Sequence, residues 1–167
     1  MINREGLLVL SNYNNYANQL MLDTAAKLTE EQFTKDFEVS LGSVQKTIQH
    51  MYEGEQYFLC LYQGKPFEEG EPPVLAELSG YWGDAGEMYL AFIAGKTDDD
   101  LRGEIDVQFG EYGFHIPLWQ LLTQNLLHSM IHRGELSVFL TQHGHPLPTM
   151  DILIPFIKDS GQEWPFG

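Results

Sequence analysis

Leu118 to Gln142 reads LWQLLTQNLLHSMIHRGELSVFLTQ, a proline-free run preceded by Pro117 and followed by Gly144 and Pro146. Proline at the first turn and glycine, then proline, past the last one are the punctuation of a long helix. Apolar residues lie on nearly every side of it, which predicts a helix buried by neighbours all round. Such a helix needs other helices to surround it.

The rest of the chain supplies them. Leu10, Tyr13, Ala17, Leu20 and Met21 recur at three- and four-residue steps, predicting a first long helix from about Arg4 to Lys27. Thr29-Glu30-Glu31-Gln32 has capping-box spacing and opens a new turn. Ser43 is a plausible N-cap for a second long helix, with Val44, Ile48, Met51, Phe58 and Leu59 on its core-facing arc and Gly64 stopping it ahead of Pro66. Leu75, Leu78, Trp82, Ala85, Tyr89 and Phe92 repeat at helical spacing and predict a third; Ala76, Ser79, Gly80, Gly83 and Gly86 give it a small-residue surface for close backbone approach. Glu104 to Phe109 alternates, and Gly110 and Gly113 bracket a turn before Phe114-His115-Ile116, the pattern of a short β-hairpin. Phe67 to Pro73 and Thr97 to Asp100 read as connections, and Asp151 to Lys158 as a tail packing back on the body. Four long helices with one hairpin predict an all-α helical bundle, a single domain over residues 1–167.

Composition narrows the function. The 167 residues are 43% hydrophobic and 13% aromatic, enough for one sizeable core and incompatible with disorder as the main state. Lys+Arg number 9 against 24 Asp+Glu, a net charge of −15. Self-repulsion therefore opposes nucleic acid or an anionic membrane as partner. No window of about 18 apolar residues is present to span a bilayer, and the first residues lack a signal-peptide core. The single cysteine, Cys60, fits a reducing compartment. A cytoplasmic protein is expected, and any metal site must be built from imidazoles and carboxylates.

Of the six histidines, His128 and His132 stand at i and i+4 in the most apolar helix, so their rings share one face about 6 Å apart. That stripe continues through Leu121, Asn125, Glu135 and Phe139. Each buried imidazole brings a polar nitrogen that must be paired, and a shared cation, or backbone and water, would satisfy both. His50 sits at the margin of the second helix's apolar arc, one turn before Gly54, which leaves room beside it; it is the candidate third ligand. Glu135 reads as a fourth ligand or as an acceptor for an imidazole N–H. Glu55, on the core-facing arc, needs a partner and would orient a ligand or accept from the Tyr16 hydroxyl. Arg133 projects about 100° from His132 around the helix and reads as an ion-pair or subunit contact. Ser129 follows His128 where zinc proteases carry glutamate, so a peptidase is not expected.

The stretch Tyr13-Asn14-Asn15-Tyr16-Ala17-Asn18, the segments Gly42-Ser43-Val44 and Ile48-Gln49-His50, the late His128-Ser129-Met130-Ile131-His132-Arg133-Gly134 and the ending Gly144 to Leu153 resemble the DinB-like four-helix bundle proteins. The resemblance spans nearly the whole chain. It implies an up-down-down-up four-helix bundle with the hairpin between the third and fourth long helices, a tendency to form homodimers, and a three-histidine site of His50, His128 and His132 holding a divalent metal, nickel or zinc. It further implies a metal-dependent S-transferase or related enzyme using a low-molecular-weight thiol, bound by the metal as thiolate. An anionic thiol would require a cation near the site. A non-catalytic bundle that binds metal or a small ligand through the same histidines is the alternative.

Overall fold

The structure, a computed structural model, describes residues 2–38 and 40–165. Among these the chain is mostly helical, with one small antiparallel hairpin. Helix α1, Arg4–Ala25, opens on Asn3, whose side chain accepts the Gly6 N–H at 2.9 Å. The capping box at Thr29 and Gln32 forms in both directions, at 3.2 and 2.9 Å, and starts α2, Glu30–Thr34. Ser43 caps α3, Val44–Gln63, by accepting the Lys46 N–H at 3.1 Å. Gly64 ends it at φ +65°, a conformation open to glycine, with its own N–H returned to the last turn.

The third long helix is a correction. Leu75–Gly80 is a 3-10 turn, and only Ala85–Ala94 forms an α-helix, α4. Gly80 and Gly83 withdraw helix propensity where the helix would have to continue, and Gly83 sits at φ +49°. Trp82 and Tyr89 are buried all the same. The small-residue surface works at one point: a Cβ on Gly86 would lie 2.6 Å from the Asn15 side chain of α1, while a Cβ on Gly80 or Gly83 would meet nothing within 4 Å. Thr97 to Asp100 is likewise no mere connection, because Thr97 and Asp100 form a second capping box and begin α5, Asp98–Arg102.

Strands β1, Glu104–Phe109, and β2, Tyr112–Pro117, pair from Glu104↔Pro117 to Phe109↔Tyr112, with Gly110 at φ +58° in the turn. They lead into α6, Leu118–Gln142, whose bounds match the expected ones. Helices α1 and α3 each lie against α6 and α4. One cluster of core residues holds Met21, Leu22, Ile48, Met51, Trp82 and Leu136; another holds Leu7, Leu59, Ile93 and Leu122. The tail forms α7, Leu153–Asp159, seating Ile154 in the body, and the Tyr13 hydroxyl donates to the Met150 carbonyl just before it.

Helix α6 is not buried all round. Leu127, Met130, Ile131 and Val138 are 48–60% exposed, so the apolar residues on that side form an open stripe. Among the described residues no helix is long and apolar enough to cross a membrane.

Candidate metal centre

Where α3 crosses α6, the side chains of His50, His128 and His132 meet. Nε2 of His128 lies 3.0 Å from Nε2 of His50 and 3.1 Å from Nε2 of His132. Each Nε2 offers one in-plane position, either a proton or a lone pair. A protonated His128 nitrogen can donate well to one neighbour, and an unprotonated one can accept well from one. The three nitrogens therefore cannot all be satisfied by bonds among themselves, whereas a cation takes three lone pairs at once. The separations suit it, since two nitrogens each about 2.0–2.1 Å from one ion lie roughly 3 Å apart. The cluster could hold a metal ion.

His132 Nδ1 stands 2.7 Å from Oε2 of Glu135. A carboxylate only accepts, so Nδ1 carries the proton and the Nε2 lone pair is left facing the cluster. Glu135 is in turn bonded by the Ser40 hydroxyl at 3.0 Å. Partial burial pushes its carboxyl up, but the bonds from His132 and Ser40 outweigh this and hold it below its ordinary value. Of its two expected roles, Glu135 takes that of imidazole acceptor.

Burial is also the main influence on the other two rings. It lowers the value for His50, assisted by His132, and brings His128 down to about 4, with His132 and His50 adding to the effect. The unfolded chain, with histidine near 6.5, takes up protons that the folded chain refuses. Stability of the metal-free protein is thus expected to fall as pH drops from about 6.5 towards 4. Thermal denaturation in chelator across that range checks this, and a slope that His128→Asn leaves unchanged would assign it elsewhere.

The space made by Gly54 serves His128 rather than His50. A Cβ there would touch His128 Cε1 at 3.4 Å, ordinary contact distance, so the ring packs directly over the α3 backbone. Gly54→Ala should therefore fit and raise stability by up to about 1 kcal/mol through helix propensity, read as a Tm rise of a few degrees. A fall in Tm would show that the ring needs the full gap.

Beside the cluster a cavity of about 620 Å³ opens, floored by His50 and His128 and walled by Tyr57, Phe58, Phe67 and Leu121. Phe67 comes from the connection after α3, and Ile116 from β2 also lines it. Neither contribution has a local sequence signal.

Glu55 and Arg133 belong to a different structure. Both are 4% exposed. Oε1 of Glu55 accepts from Asn14 at 2.9 Å, Asn18 at 3.2 Å and Ser129 at 3.2 Å, and Oε2 accepts from the Trp82 indole at 2.7 Å. Arg133 donates to the amide oxygens of the same two asparagines at 2.6 Å each. Asn14 and Asn18 thus join a buried carboxylate to a buried guanidinium through their two ends. The expected Tyr16 bond does not form; Tyr16 is exposed. Both asparagines lie in the stretch that carries the family resemblance, but their joining role is missed in the sequence, although they stand at i and i+4 on one face of α1, the spacing that marks out His128 and His132. His115 pairs with Asp106 at 2.6 Å on the exposed hairpin and does not line the cavity.

The family model described as "DinB family" matches residues 1–159. The chain is also 22% identical over 148 residues to "Protein DinB" of Bacillus subtilis (strain 168), covering 81% of this chain and 85% of that protein.

Proposed function

We propose that this chain, which belongs to the DinB family, holds one divalent metal ion, nickel or zinc, through His50, His128 and His132 and is a metal-dependent enzyme of the thiol S-transferase kind. The observation that carries the reading is the convergence of three Nε2 atoms, one with its lone pair directed inward by Glu135. An ion held by three imidazoles keeps coordination positions open, where it would stabilise a thiolate at neutral pH. The chain's own part is positional. Glu135 fixes the His132 tautomer, Gly54 lets His128 pack against α3, and the aromatic walls exclude water from the side on which a substrate enters. In this reading residues 1–167 are one domain in which α1, α3, α4 and α6 make an up-down-down-up bundle. The open stripe on α6 is the surface on which a second copy would pack.

Glu135→Ala tests the arrangement without touching a ligand. Loss of a partner that orients a metal-bound imidazole typically costs 10–100-fold in affinity, and that range is expected for nickel by calorimetry. Unchanged affinity would mean that the His132 ring needs no orienting and would count against the reading. The non-catalytic alternative differs in turnover: a panel of small thiols with electrophilic acceptors should give metal-dependent product for an enzyme and binding alone for a carrier.

A further inference from the structure

We propose that the cavity beside the histidine cluster admits a small aromatic molecule without negative charge, neutral or cationic, and that in the metal-free protein it turns anionic ones away. The assignment of this molecule as substrate rests on the function proposed above; the selectivity rests on the cavity itself.

Three rings build the wall. Tyr57 meets Phe58 at 5.4 Å and Phe67 at 5.7 Å between centroids, both edge-on, and the Tyr57 hydroxyl donates to the Gln108 carbonyl at 2.9 Å, which holds its ring in place. A ligand ring entering this space finds faces and edges already set at the mutual angles aromatic groups prefer. The volume, about 620 Å³, lies within the range of small-molecule sites.

The charges point one way. Among the described residues no lysine or arginine lines the cavity, and one carboxylate side chain does, Glu53, to which Gln49 donates at 2.9 Å. Glu135 stands behind His132, and the chain as a whole carries −15. In the metal-free protein an anion would leave water for an apolar chamber whose described lining offers no cationic side chain and carries a carboxylate, Glu53. A cation would meet Glu53 and the ring faces together. Among the described residues no side chain lining this cavity supplies the cation that an anionic thiol requires, so in the function proposed above that charge falls to the metal ion.

The test uses the full chain, metal-free and nickel-loaded in parallel, at neutral pH, with three calorimetric probes that share a bicyclic ring: naphthylmethylamine, naphthalenemethanol and naphthoate. In the metal-free protein the amine and the alcohol should bind at least about tenfold more tightly than naphthoate, a difference of roughly 1.4 kcal/mol. Phe67→Ala should weaken both, and Glu53→Gln should weaken the amine alone. Naphthoate binding as tightly as the alcohol, no measurable binding of any probe, or indifference to Phe67→Ala would overturn the proposal. Because this arm contains no metal, its failure is separate from that of the metal reading: a chain that ranks the probes as expected but takes up no nickel keeps the cavity's selectivity and loses the metal, and the converse result does the opposite.

Discussion

His128→Ala should remove stoichiometric nickel or zinc, weakening binding by more than the roughly 100-fold upper range for losing an outer partner. His128 is the common member of both short contacts, 3.0 Å to His50 and 3.1 Å to His132, so its loss separates the remaining two imidazoles from the point they share. The fold should persist. The ring is only partly buried and lies over Gly54 at a helix crossing, outside the main apolar clusters. The metal-free variant is therefore expected within about 1 kcal/mol of its parent by thermal denaturation. Calorimetric titration beside that control separates the two effects, and retention of parental affinity would remove His128 from the site.

The second large effect concerns stability. Glu55→Ala would leave the amide donors of Asn14 and Asn18, the Ser129 hydroxyl and the Trp82 indole without their acceptor, and Arg133 without the buried charge to which the two asparagines join it. Breaking a buried charge arrangement on one side costs about 3–5 kcal/mol. At roughly 2–4 °C per kcal/mol for a chain this size, Tm should fall by roughly 6–20 °C. Glu55→Gln retains one carbonyl oxygen and should cost less, on the order of 1–3 kcal/mol, mainly through the Trp82 N–H facing an amide donor. A Glu55→Ala variant within 1 kcal/mol of the parent would show that the network does not hold the helices together. Burial raises the Glu55 carboxyl above its ordinary value despite the four bonds it accepts, as expected for a charge kept from water.

These two sites differ in how far a sequence can reveal them. Caps and stops are local: Ser43, Gly64 and the Thr29–Gln32 box act within four residues of themselves, and α3 and α6 begin and end where that punctuation places them. The His128–His132 spacing is equally local. Apolar periodicity is a poorer guide from Leu75 to Phe92, because Leu78, Trp82 and Tyr89 do face the core while Gly80 and Gly83 break the backbone they would share. On α6 the periodicity fails differently. Hydrophobicity records what a helix can bury, and the described residues leave Leu127, Met130, Ile131 and Val138 about half exposed. The cavity was illegible for a third reason, since it joins Phe67 from a connection to Ile116 from a strand, and that meeting exists only after the helices have packed.

Elemental analysis of the untagged protein, purified without chelator, bears most directly on the metal reading. One equivalent of nickel or zinc per chain is the predicted result, either as isolated or after the metal is supplied and the excess removed. A chain that takes up neither under both conditions would contradict it, leaving His50, His128 and His132 as polar residues of a metal-free helical protein.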